Sequence, residues 1–249
     1  MTVRTEVRDH VLLVRIEREE KRNAIDPETA VGISEALDRL DDDEDLWVGV
    51  LTGTPSVFSA GTDLRTGSGA YTERGGAYGL IRRDRRTPLI AAVEGVAFGG
   101  GLEIALACDL VVASETARFA LPESRRGLVA TSGALFRVVR ALPLNVAKQL
   151  LITGGEIDAN RAYALGLVNT VTAPGGAVAA ALALAEDICL SSPLAVRATL
   201  AAIDAQLTDD DEAGWRATAE AHATIADSHD AREGVSAFFE RRIPHWQGR

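Results

Sequence analysis

Gly95-Val96-Ala97-Phe98-Gly99-Gly100-Gly101-Leu102-Glu103-Ile104-Ala105-Leu106-Ala107-Cys108-Asp109 is the stretch on which the reading of this chain turns. The apolar run Leu89-Ile90-Ala91-Ala92-Val93 leads into it and reads as a buried strand. Three consecutive glycines then allow a sharp turn and a close approach of backbone to another group. The residues that follow are helix formers with few β-branched members, which predicts a helix beginning near Gly100. A glycine-lined helix start presents unpaired N–H groups and a positive dipole end, a combination suited to a negatively charged oxygen.

Glu103 is out of place in that run. On a helix its neighbours three, four and seven residues onward are Leu106, Ala107 and Leu110, and no Lys or Arg lies three or four positions to either side. A carboxylate facing such a stripe is desolvated, so its pKa rises unless hydrogen bonds hold the charge. The competing reading is a solvated Glu on a helix edge, and the helix pattern alone leaves both open.

Composition narrows the partners. The chain has 249 residues, 47% hydrophobic and 25% charged, enough for a full core as one large domain or a domain with an appendage. A net charge of −10 argues against nucleic acid as a partner, and any anionic ligand must be caught by local basic groups. Cys108 and Cys189 form no CxxC, and Cys108 reads as a small buried hydrophobe. The four histidines form no HxxxH pair, so no metal site is expected. The charged N-terminal residues do not read as a signal peptide, and no uncharged stretch approaches a membrane span. The expectation is a cytoplasmic protein with no membrane partner.

In chain order, Val11 to Ile16 reads as a strand after a turn at Asp9-His10. Asp26-Pro27-Glu28 has the form of a helix N-cap, and that helix is expected to reach Leu40. The acidic cluster Asp41 to Asp45 reads as a solvated loop. Trp47 to Thr52 is apolar on both faces, as in a mixed or parallel sheet. Residues Arg65 to Gly79 read as a mobile segment near a ligand. Ile81 to Arg86 reads as a basic helix whose four arginines form a solvated face or subunit contact, with a nucleic-acid patch as a lesser alternative. Short strands are expected at Asp109 to Ala113, Arg118 to Leu121 and Val168 to Thr172, and helices at Gly133 to Ala141, Leu144 to Thr153 and Asp158 to Leu165. From Ala177 onward the pattern is helical, with breaks at Ser192-Pro193 and near Asp209 to Asp211. This is an α/β core with a helical C-terminal extension.

Three motifs in this order resemble the crotonase (enoyl-CoA hydratase/isomerase) superfamily: Phe58-Ser59-Ala60-Gly61-Thr62-Asp63-Leu64, Gly99-Gly100-Gly101-Leu102-Glu103 and Leu121-Pro122-Glu123. The similarity continues through Leu165-Gly166-Leu167-Val168, Ser191-Ser192-Pro193 and the tail Glu233 to Arg242, so it spans essentially the whole chain. The resemblance implies a spiral of ββα units over residues 1–192. It also implies a helical trimerisation region over 193–249 and assembly as a homotrimer or a hexamer made of two trimers. The implied ligand is an acyl-CoA thioester, with coenzyme A part of the substrate and no separate cofactor.

By the same resemblance, the backbone N–H groups of Thr62 and Gly100 polarise the thioester carbonyl, and Glu103 and Glu123 are the two acids of a hydratase. Glu123 would protonate the α-carbon while Glu103 holds and activates the water. Two carboxyls sharing one water titrate as a coupled pair. For Glu123, the residues alone favour a loop carboxylate paired with Arg125 or Arg126, and only the family resemblance reverses that reading. CoA and substrate contacts are implied at Arg22, Ala24, Ala60, Gly61, Asp63, Leu64, Thr131, Phe238 and Arg241. Asp63 either fixes the turn or meets the adenine, and each basic residue is also readable as solvated surface.

After the second acid the chain departs from typical hydratases, which carry a proline and several glycines. Leu128-Val129-Ala130-Thr131-Ser132-Gly133-Ala134 keeps only Gly133, and is closer to the carnitinyl-CoA dehydratase-like branch. Bulkier residues here reshape the acyl pocket. The implied activity is reversible hydration of a 2-enoyl-CoA within lipid metabolism. The alternatives are a carnitinyl-CoA dehydratase-like reaction, an enoyl-CoA isomerase, or a non-catalytic acyl-CoA-binding protein. A hydrolase reading is disfavoured because Ser132 is not in a GxSxG elbow, and a dinucleotide dehydrogenase because Gly99-Gly100-Gly101 is not GxGxxG.

Overall fold

The computed structural model describes residues 2–66 and 70–249. Strands β1 (Val3–Arg8) and β2 (Val11–Ile16) form an antiparallel hairpin, followed by helix α1 (Pro27–Asp42) and strand β3 (Val48–Thr52). Asp26 caps α1 by accepting from Thr29 N at 2.9 Å, with Pro27 preset at the first helical position. A small hairpin, β4 (Tyr71–Thr72) and β5 (Gly76–Ala77), precedes β6 (Leu89–Val93), β7 (Val96–Phe98), α2 (Gly100–Leu106), β8 (Leu110–Ser114) and β9 (Arg118–Ala120). Then come α3 (Ala134–Ala141), α4 (Leu144–Thr153), β10 (Glu156–Asp158), α5 (Ala159–Ala164) and β11 (Thr170–Thr172). Helices α6 (Ala177–Cys189), α7 (Pro193–Ile225) and α8 (His229–Glu240) complete the chain.

The main sheet has the order β1-β2-β3-β6-β8-β11, parallel throughout except for β1. Its strands are apolar on both faces because both faces are covered. Val11, Leu13, Val48, Val50, Ile90 and Ala92 pack against Ala177, Ala181 and Ala185 of α6. The alternate residues, among them Leu12, Val14, Leu51, Ala91 and Val93, face the larger core shared with α1 and α2. A second sheet, β10-β9-β7, sits beside that core and pairs β7 parallel to β9. No single helix among the described residues is long and apolar enough to cross a membrane.

Several local expectations are corrected. α1 runs to Asp42, and Asp41 is buried rather than part of a solvated loop. Residues 81–86 form turns and irregular chain, not a helix, because their arginines are spent on specific partners. Arg83 Nε donates to Asp41 Oδ2 at 2.8 Å with both side chains essentially buried, and Arg85 pairs with Asp109 at 2.7 Å. α7 continues unbroken through Asp209 to Asp211, and the break falls at residues 226–228 instead. β1 went unread because only Val3 of its alternating residues is buried. In the stretch read as mobile, 67–69 lie outside the described residues, whereas Ala70 and Tyr78 are buried and β4 and β5 pair.

Candidate active site

The turn carrying Thr62 is laid against residues 22–25. Ala60 N donates to Arg22 O at 3.0 Å, Ile25 N to Gly61 O at 2.8 Å and Asp63 N to Ile25 O at 3.0 Å. Asn23, fully buried, clamps the approach by donating from Nδ2 to Val57 O at 2.8 Å and Phe58 O at 3.2 Å. Arg18 bridges Asp26 at 3.1 Å and Asp63 at 2.8 Å. Asp63 is thereby committed to the turn; burial pushes its pKa up, but the Arg18 hydrogen bond and the Arg65 N–H outweigh it and hold the carboxyl below its usual value. In this network Thr62 N is left without a protein acceptor among the described residues.

The second turn comes from the glycine run. Gly99 has φ +54°, its N–H donates to Ala120 O at 2.9 Å, and its carbonyl receives Leu102 N and Glu103 N as α2 begins. Gly100 N, at the first helical position, donates to no other group among the described residues, as expected for a helix start. The two turns meet closely. A Cβ on Gly61, where φ is +89°, would stand 2.7 Å from Gly100 N, so only glycine permits this approach.

Glu103 lies one turn into α2 and is 2% exposed. Its Oε1 accepts from Ser132 N at 2.7 Å and Ala134 N at 3.1 Å. Burial, reinforced by the charge of Glu123, pushes its pKa up to about 7 against the pull of those two N–H donors. Glu123 follows Pro122 in a short 3-10 turn, Pro122–Arg126, against which α8 packs. A Cβ on Gly99 would stand 2.7 Å from Glu123 Oε1, so the glycine turn makes room for this carboxyl as well. Burial raises the pKa of Glu123, opposed by its own backbone N–H and by Arg126. Its Oε2 is buried and has no protein hydrogen-bond partner.

Thr62, Gly100, Glu103 and Glu123 all line one cavity of about 110 Å³. Ala60, Leu64 and Thr131 line it too. Gly61 sits behind it as the hinge of the turn, and Ala24 is buried in the supporting segment next to exposed Arg22. Phe238 reaches the cavity only through Arg126, whose guanidinium lies 4.6 Å from the ring centre. Arg241 is exposed at the end of α8 and does not line the cavity. Sequence reasoning missed Tyr78, Asn23, Arg18 and Arg126. Tyr78 lines the cavity with its hydroxyl 2.7 Å from Thr62 Oγ1. A larger groove of about 680 Å³ between residues 80–85, α3 and α7 contains neither glutamate. Among the described residues no group of three His, Cys, Asp or Glu side chains is placed to hold a metal ion.

The class these features define is an α/β protein in which two backbone donors and a pair of carboxyls, one buried and one half-buried, face one small cavity. The chain matches the family model described as enoyl-CoA hydratase/isomerase over residues 6–249. A Thermus thermophilus protein named putative enoyl-CoA hydratase is 39% identical over 247 residues, covering 95% of this chain and 97% of that one. The carnitinyl-CoA dehydratase of Salmonella typhi is 38% identical over 240 residues, covering 92% of each. A solved carnitinyl-CoA dehydratase structure from Mycobacterium avium has a TM-score of 0.94 and 40% identity, covering 100% of this chain and 99% of that one. This chain belongs to the enoyl-CoA hydratase/isomerase family, with its crotonase-type α/β fold.

Proposed function

We propose that the protein is an enoyl-CoA hydratase that reversibly adds water across the 2,3-double bond of an enoyl-CoA thioester. The observation that carries this is the placement of buried Glu103, half-buried Glu123 and two backbone N–H groups unpaired among the described residues around one cavity. The thioester oxygen is received by Thr62 N and Gly100 N, which stabilise the negative charge it gains as the enolate forms. The dipole of α2 acts in the same sense at Gly100. Water held at Glu103 gives hydroxide to the β-carbon, and Glu123 delivers a proton to the α-carbon. The proton released by water returns to the pair, so the two carboxyls end with the protons they began with.

The raised pKa of both acids supports this reading, because the pair keeps a proton close to neutral pH where ordinary carboxylates have none. The buried, unpartnered Oε2 of Glu123 is an oxygen free to face substrate. Coenzyme A enters as part of the substrate, with no separate cofactor, and its phosphates are met by basic residues such as Arg22. A second reading, dehydration of carnitinyl-CoA, is favoured by the similarity to carnitinyl-CoA dehydratases. Arg126 on the cavity wall weighs against it, since a quaternary ammonium on the acyl group would meet a like charge. Assembly as a trimer or a pair of trimers is supported by apolar side chains left in solvent, among them Leu190 and Leu194 at 87% and 77% exposure. A cytoplasmic role in lipid metabolism accords with this reading.

The test is incubation with a panel of 2-enoyl-CoA thioesters and with carnitinyl-CoA, following the enoyl-thioester ultraviolet absorbance, lost on hydration and gained on dehydration, and identifying the products by mass spectrometry. Turnover of none of them contradicts the proposal, and turnover of carnitinyl-CoA alone favours the second reading.

A further inference from the structure

Tyr78 is 6% exposed and is held in the cavity wall from three sides. Its backbone has φ +57°, in the left-handed region that bulky residues avoid, and its N–H is tied to Ala70 O at 2.8 Å. That conformation turns the ring inward. Its hydroxyl lies 2.7 Å from Thr62 Oγ1, with the Ser132 side chain close beside it. The tip of the ring rests on Gly100, where a Cβ would stand 2.4 Å from the phenol oxygen and 2.6 Å from Cζ. The ring is therefore pinned at Thr62 and Gly100, and the neighbouring Ser132 N donates to Glu103 Oε1 at 2.7 Å. A side chain so anchored cannot swing aside for a longer ligand.

What it leaves is small. The cavity of about 110 Å³ compares with roughly 300–1,000 Å³ for pockets that take drug-sized ligands.

We infer that Tyr78 is a specificity-determining residue that closes the acyl pocket and restricts the protein to short acyl groups. This rests on the acyl-CoA reading above and adds the substrate class to it. Longer chains would have to displace a ring that is hydrogen-bonded at its hydroxyl and packed on the turn that supplies Gly100 N.

The experiment measures binding and turnover separately. Saturated butanoyl-, hexanoyl- and decanoyl-CoA are titrated calorimetrically into wild type, Tyr78→Phe and Tyr78→Ala, and the matching 2-enoyl-CoA thioesters are assayed for hydration. Wild type is expected to bind butanoyl-CoA at least tenfold more tightly than decanoyl-CoA. Tyr78→Phe keeps that ranking, because the ring remains. Tyr78→Ala gains tenfold or more for decanoyl-CoA relative to butanoyl-CoA, a change that general loss of structure would not produce. Wild type binding decanoyl-CoA as tightly as butanoyl-CoA overturns the inference, whether or not the alanine variant folds. An unchanged ranking in a folded Tyr78→Ala overturns it too. The expected ranking without hydration of any thioester supports the pocket inference while contradicting the hydratase reading, so the two fail separately.

Discussion

Gly61 is seated against the backbone nitrogen of Gly100, so closely that a Cβ on Gly61 would stand 2.7 Å from it. The two residues come from turns far apart in sequence, one following β3 and the other opening α2. Their contact brings the unpaired N–H groups of Thr62 and Gly100 to one cavity.

Replacing Gly61 by alanine should therefore damage chemistry more than folding. The φ of +89° and the contacts with Gly100 N and Phe98 O force the turns apart. Losing one oxyanion donor lowers rate by about 100- to 1,000-fold, and the strained backbone costs about 1–3 kcal/mol. The check is kcat/KM for a 2-enoyl-CoA beside a thermal melt. Activity within a few-fold of wild type would show that the spacing of the two turns is not critical.

Glu103 makes stability depend on pH in a direction opposite to most carboxylates. Its folded pKa of about 7 lies above the ordinary 4.5. The stability associated with its neutral form is fully present below about 4.5 and is lost as pH rises through about 7. By pH 8 the charged buried form costs about 3 kcal/mol. Glu103→Gln should then melt above wild type at pH 8, and the gap should close towards pH 4.5. A gap independent of pH would mean that Glu103 is not the group titrating.

The buried pair of Arg83 and Asp41 gives a stability prediction remote from the cavity. Asp41→Asn leaves a fully buried guanidinium with only half-exposed Asp38 as counter-charge. Removing one partner of a buried pair costs about 3–5 kcal/mol, which lowers Tm by roughly 10 °C in a chain of this size. Differential scanning calorimetry measures it. Enoyl-CoA turnover below the melt should stay within about twofold, and no change in Tm would return this arginine to the surface role first assigned to it.

What could be read in advance follows how local each signal is. Gly100 and Glu103 lie within four residues of each other, so a helix start and a stranded acid were visible from spacing alone. Thr62 and Glu123 carry no such local signature, and only the order of family motifs pointed to them. Tyr78 was hidden in a glycine-rich polar stretch, since its inward turn depends on a positive φ and on the absence of a Cβ at Gly100. Arg83 and Asp41 looked like two solvated charge clusters because their pairing exists only once α1 and residues 81–86 come together. α7 crosses Asp209 to Asp211 without a break because Asp209 and Asp210 face solvent and Asp211 pairs with Arg140, and a charge run does not end a helix whose carboxylates stay hydrated or paired.

The central claim is that Glu103 and Glu123 act as one unit on a substrate held by Thr62 N and Gly100 N. The direct measurement is kcat/KM for 2-enoyl-CoA hydration by wild type, Glu103→Gln, Glu123→Gln and the double variant. Groups that act together are strongly non-additive. Each single substitution should lower kcat/KM by about 100-fold or more, and the double variant should be little worse than the poorer single. A double variant that keeps full activity, or losses that simply multiply, would contradict the account.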